Sequence, residues 1–134
     1  MKQVLVLLLV VIPTFIMAQN INQFDENGKR HGVWKKTFDN TNVLRYEGAF
    51  KHGKEIGLFK FYKNINNEAV LTATKQFNEN DNLAEVTFYA SNGMIISKGL
   101  MKEKKYIGAW TYYHNNSNQV MTLEHYNNQG QLHG

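Results

Sequence analysis

Gly57-Leu58-Phe59-Lys60-Phe61-Tyr62 decides the fold, because the chain writes it more than once. It stands earlier as Gly32-Val33-Trp34-Lys35-Lys36-Thr37-Phe38 and later as Gly108-Ala109-Trp110-Thr111-Tyr112-Tyr113. The copies start 25 and 51 residues apart, so a period near 25 predicts a degenerate copy near position 83. Leu83-Ala84-Glu85-Val86-Thr87-Phe88-Tyr89 occupies that place. Self-similarity at a fixed period is the mark of a repeat architecture.

Each copy is followed by an Asn-rich or Gly-containing break and then a second β-prone run, at 43–50, 69–77, 94–101 and 119–126. Alternation within the runs is that of strands. Leu44, Tyr46 and Phe50 fall on one side of the second run, with Arg45, Glu47 and Lys51 on the other. Asn and Gly tolerate the positive φ of tight reversals, and they cluster at Asp39-Asn40, 64–67, 78–82, Asn92-Gly93 and 115–118. No stretch after Ala18 has a helical period. The pattern predicts eight antiparallel strands at about 33–39, 43–50, 57–63, 69–77, 83–89, 94–101, 108–114 and 119–127.

A barrel or sandwich would need corner residues, and none interrupt the repeat. Trp34, Phe59 and Trp110 mark one face while Val33, Leu58 and Ala109 mark the other, so both faces carry apolar and polar groups. The expected fold is therefore all-β: a single-layer, twisted antiparallel meander of about eight strands. It is built from four hairpin units of about 25 residues, at 24–49, 50–76, 77–100 and 101–125, with the start of a fifth at 126–134. That last piece echoes the beginning. Asn127-Asn128-Gln129-Gly130-Gln131-Leu132-His133-Gly134 lies 102 residues after Asp25-Glu26-Asn27-Gly28-Lys29-Arg30-His31-Gly32. An edge left unpaired there is a template for edge-to-edge self-association.

The run Tyr46-Glu47-Gly48-Ala49-Phe50-Lys51-His52-Gly53-Lys54-Glu55-Ile56-Gly57-Leu58-Phe59-Lys60-Phe61-Tyr62 resembles the MORN-repeat signature. This signature is tyrosine-glutamate-glycine, an aromatic, a lysine-glycine turn and a glycine-led strand. Residues 24–134 resemble the bacterial MORN-repeat variant, the YwqK-type antitoxin-like family. The resemblance implies β-hairpin units in a long antiparallel sheet and binding to a protein partner. Unit three departs from the pattern, with Leu83 for the leading glycine and Glu85 for the aromatic. Thr74-Lys75 and Glu124-His125 replace the signature glycine in units two and four.

Residues 1–18 read as a secretory signal peptide. Lys2 is its basic start, 4–12 an unbroken apolar run ended by Pro13, and Ile16-Met17-Ala18 the cleavage motif before Gln19. The apolar run is shorter than the ~20 residues of a membrane-spanning helix. The rest, 19–134, is the repeat domain, expected in the periplasm, cell envelope or outside the cell. The chain of 134 residues has no cysteine, so disulfides, thiolate metal sites and cysteine nucleophiles are all excluded. Its net charge of +4 is mild and scattered, which argues against nucleic acid.

The motifs of zinc proteases, serine hydrolases and phosphate loops are missing from the sequence. His31, His52 and His133 sit beside glycines at recurring turns, which is turn chemistry. His114 and His125 with Glu124 are conceivable zinc ligands, but Glu124 and His125 point to opposite faces of a strand. Asn115-Asn116-Ser117 fits a glycosylation acceptor. No catalytic residue, metal ligand set or cofactor is expected. Trp34, Phe59, Trp110 and Tyr112 form the candidate surface, with Lys36, Lys63 and His114 among them. They either stack to hold the sheet together or offer a platform for a partner. The expected role is a non-enzymatic protein-interaction module working through a sheet face or edge. Alternatives are a cell-envelope ligand binder for glycan or lipid headgroups at a membrane surface, and a toxin-neutralising protein.

Overall fold

The computed structural model describes residues 20–133; the segment expected to be a signal peptide, 1–18, lies outside the described residues. The described chain is all-β and forms one open sheet whose strands lie in sequence order, each antiparallel to the next. The strands are β1 (Gln23–Phe24), β2 (Arg30–Thr37), β3 (Leu44–Lys51), β4 (Lys54–Ile65), β5 (Glu68–Phe77), β6 (Leu83–Tyr89), β7 (Ile95–Lys102), β8 (Lys105–Tyr113) and β9 (Val120–Tyr126). The single-layer meander expected from the sequence is present, with nine strands in place of eight. The extra strand is β1, two residues paired with Arg30 and His31, too short to show as an alternating run.

Three strands begin earlier than the sequence indicates. Gly57 and Gly108 lie inside β4 and β8, and β2 opens at Arg30. The cause is turn geometry. His52 and Gly53 both hold positive φ (48° and 87°), which matches the right-handed strand twist, so pairing runs to the turn itself at Lys51–Lys54. Asn66 and Asn67 (51° and 64°) reverse β4 into β5 in the same way.

Two kinds of bulge carry the repeat. One extra residue is inserted at Arg45, Thr72, Ile96 and Met121, at spacings of 27, 24 and 25 residues. A larger irregularity occurs only between β3 and β4 and between β7 and β8. There a single glycine, Gly48 or Gly99, faces three residues, Gly57-Leu58-Phe59 or Gly108-Ala109-Trp110. Gly57 and Gly108 adopt φ of 67° and 66°, a conformation that costs a side-chain-bearing residue ~1–2 kcal/mol. In the third unit Leu83 cannot adopt it readily, and the β5–β6 register runs unbroken. Without that shift Glu85 turns to solvent, and Val86, 1% exposed, takes the inward place.

The core lies on one face, here the front. Its first cluster is Trp34, Phe50 and Phe59, flanked by Tyr46, Phe61 and Phe77. The second is Ala84, Val86, Met101 and Trp110, flanked by Phe77, Phe88, Tyr106, Tyr112 and Tyr126. Rings meet mostly edge to face, as in Phe50–Phe59 at 5.2 Å and Phe59–Phe77 at 5.3 Å. Tyr106 instead stacks flat on Trp110 at 3.8 Å. Such pairs are worth ~0.5–1.5 kcal/mol beyond the area they bury.

The echo between 25–32 and 127–134 is structural in the described residues. Asp25 Oδ1 accepts the N–H groups of Asn27 and Lys29, and Asn127 Oδ1 accepts those of Gln129 and Gln131. Gly28 and Gly130 hold the same positive φ, 74° and 79°. Leu132 then bridges Tyr126 as Arg30 pairs with Phe24.

Candidate functional site

The sequence singled out Trp34, Phe59, Trp110 and Tyr112 as a candidate surface. All four lie on the front face, as the repeat requires, but the first three are interior groups. Trp110 is 0%, Phe59 2% and Trp34 7% exposed, and Tyr112 is half-buried. Of the two alternatives the sequence left, stacking that holds the sheet together is what these rings do: Trp34 and Phe59 pack within the first cluster and Trp110 within the second. Phe59 lies over Gly48 and Trp110 over Gly99, each too close to admit a Cβ. Their polar atoms are also satisfied within the sheet. Trp110 Nε1 donates to the Leu100 carbonyl at 2.8 Å, and Trp34 Nε1 to that of Gln23 at 3.0 Å. Lys36, Lys63 and His114 remain exposed around them.

The histidines divide. Glu124 lies on the front face opposite Trp110 and accepts the Tyr126 hydroxyl at 2.7 Å, while His125 lies opposite Ala109 on the back. Among the described residues, no group of three or more acidic or histidine side chains is arranged to hold a metal ion. His31 and His52, by contrast, meet. Their rings are 4.4 Å apart, and the His52 backbone N–H donates to His31 Nδ1 at 3.1 Å. His52 Nδ1 also lies 2.8 Å from Asp25 Oδ2, whose side chain is only 5% exposed. The His52 hydrogen bond, with the Lys29 and Asn27 N–H groups, holds the Asp25 carboxyl below its ordinary range. The arrangement ties the turn before β2 to the β3–β4 turn, aided by the Gly53 N–H on the Arg30 carbonyl at 2.8 Å. The sequence signal for it was the His-Gly pair at each turn.

Two open surfaces remain. On the back face Val33, Ala49 and Leu58 surround a shallow depression of about 300 Å³, bordered by Glu47 and Lys60. Glu47 there accepts the Tyr62 hydroxyl at 2.8 Å, and burial together with that bond pushes the Tyr62 pKa up to about 12. Leu58 is 49% exposed, and Leu123, on the same face beyond Thr111, is 51% exposed. On the front face a cleft of about 460 Å³ lies beside Phe61, Phe77 and Ala84, bordered by the turns that carry Lys54 and Glu103.

Sequence alternation placed Val33 and Leu58 together on the face opposite the large rings, but it named neither the depression nor the cleft. Both depend on what neighbouring strands leave unfilled, and in unit three Val86 stands inward where units two and four lay Phe59 and Trp110 over a glycine. Comparison with protein-family models, curated proteins and solved structures returned no match.

Proposed function

We propose that this chain is an exported, non-enzymatic repeat module that binds a protein partner across the back face of its sheet. The observation that carries the proposal is the apolar depression of Val33, Ala49 and Leu58, left open on the back face and bordered by the charged side chains of Glu47 and Lys60. Exposed apolar ground with a polar border favours protein contact. The likeness to the MORN-repeat variant supports an interaction role, and the leader-like residues 1–18 support export.

A photoreactive residue placed at position 58, and separately at 123, tests the reading in the producing cells. One partner protein crosslinked from both positions, and lost from position 123 in a Leu58→Glu, Val33→Glu chain that still folds, is the expected outcome. Partner capture that survives the double substitution sinks the back-face reading. Sequencing of the mature N-terminus checks export separately, with Gln19 expected first.

A further inference from the structure

From the front-face cleft we infer a binding site for a neutral glycan, on the side of the sheet opposite the proposed protein surface and independent of it.

The cleft has a structural cause. Units two and four each press one large ring, Phe59 or Trp110, over a glycine. Unit three has neither the bulge nor the ring, and Ala84 and Val86 take the inward positions. The short side chain of Ala84, at the edge of the second cluster, leaves a recess with Phe61 and Phe77 along one wall, Ala84 at its base and the β7–β8 turn opposite. Its volume of about 460 Å³ is within the ~300–1,000 Å³ span of small-ligand sites.

The polar rim selects the ligand. It carries three ammonium groups, from Lys54, Lys75 and Lys104, and three carboxylates, from Glu55, Asp81 and Glu103. Lys54 is committed to the loop beside it, donating to the Glu79 and Asp81 carbonyls at 3.1 Å each. Asp81 is committed likewise, accepting the Leu83 N–H at 2.8 Å. Two donors, Lys75 and Lys104, and two acceptors, Glu55 and Glu103, then face the recess in balance. An anionic ligand would gain two cations and meet two carboxylates, and a cationic ligand would face the converse. A neutral molecule rich in hydroxyl groups can use all four, because a hydroxyl both donates and accepts. Phe77 supplies apolar ring surface for the C–H face of a sugar. Lys75 Nζ lies over the Phe61 ring, 5.5 Å from its centre, and stands as a donor on the Phe61 side of the recess.

The test titrates the full chain with cellotriose, chitotriose and maltotriose, followed by calorimetry and by amide shifts. At least one trisaccharide is expected to bind saturably, to shift residues around Phe61, Phe77 and Glu103, and to bind equally in low and high salt, since screening acts only on charged partners. Glu103→Gln and Lys75→Met leave the ring clusters intact and should each weaken it by about tenfold, the loss of a hydrogen bond to a charged group. Failure of all three sugars to bind overturns the inference. So does binding that survives both substitutions together, shifts confined to the back face, or a sulfated trisaccharide binding in their place with strong salt dependence.

Discussion

The ring of Phe59 lies flat against the backbone of Gly48, so close that a Cβ on that glycine would sit 2.5–2.6 Å from three ring carbons. Trp110 repeats the relation on Gly99, fifty-one residues on, again at 2.5 Å. This is how a single layer hides its largest side chains. A ring that stands upright on a one-layer sheet has solvent on most sides; a ring that lies down on bare backbone has protein beneath it and can be covered by one neighbour, as Tyr106 covers Trp110. The three-residue bulge beginning at Gly57 or Gly108 brings the ring into that place.

Glycines on the two sides of each bulge should therefore respond differently. Gly48→Ala and Gly99→Ala force a clash in a packed site and should each cost ~1–3 kcal/mol, as overpacking does. Gly57→Ala meets open space and should cost only the strain of its positive φ, ~1–2 kcal/mol. Asparagine separates the causes: Gly57→Asn should be milder than Gly57→Ala, whereas Gly48→Asn should be worse than Gly48→Ala. Urea midpoints for the five variants decide it.

Trp110 has no exposed surface and closes the second cluster. Trp110→Ala should lower unfolding free energy by ~3–5 kcal/mol, the usual cost of emptying a large aromatic site. Leu58→Ala, on the open back face, should stay within ~0.5 kcal/mol of the parent. Equal losses at both positions, measured by chemical denaturation, would contradict the assignment of front-face core and back-face surface.

Asp25 titrates below its ordinary value of 3.8, chiefly through His52 and then through the N–H groups of Lys29 and Asn27. A depressed carboxyl stabilises the folded state above its unfolded pKa, and that contribution is lost as pH falls through the lower, folded one. The turn before β2 should thus be steady at neutral pH and loosen as the pH falls below 3.8. Asp25→Asn should keep the turn, because Asn127 makes the same two backbone contacts 102 residues later, and should abolish this acid dependence. Amide exchange of residues 25–31 between pH 2 and 5 is the readout.

Tyr62 is raised to about 12 by burial and by its bond to Glu47. A raised pKa means that the stabilisation is complete below the ordinary value of 10 and is lost as pH climbs through the folded value. Alkaline titration of tyrosine absorbance should show this group ionising late. Glu47→Gln removes the carboxylate that opposes the phenolate and should bring the group back toward 10.

Much of the fold could be read from the linear chain. Strand and turn positions follow from side-chain alternation and from Asn and Gly at reversals, both of which are local properties, and the 25-residue spacing survives as the bulges at Arg45, Thr72, Ile96 and Met121. The 51-residue spacing was legible too, but not what it repeats: a glycine on one strand, Gly48 of β3 or Gly99 of β7, beneath a ring on the next, Phe59 of β4 or Trp110 of β8. Gly48 and Gly99 look unremarkable until Phe59 and Trp110 are laid across them.

The choice between stacking and platform was beyond the sequence for a related reason. Alternation put Trp34, Phe59 and Trp110 on one face, yet exposure on a face is set by neighbours from other strands, such as Phe50 beside Trp34 and Phe59 and Tyr106 over Trp110. The order of the strands and the side each ring takes were thus determined by sequence alone, since both depend on backbone preference and a period of two. Tertiary structure decided which surfaces stay open. A cleft beside Phe77 and a depression around Leu58 are spaces between strands, and their size depends on what each strand leaves unfilled next to its partner.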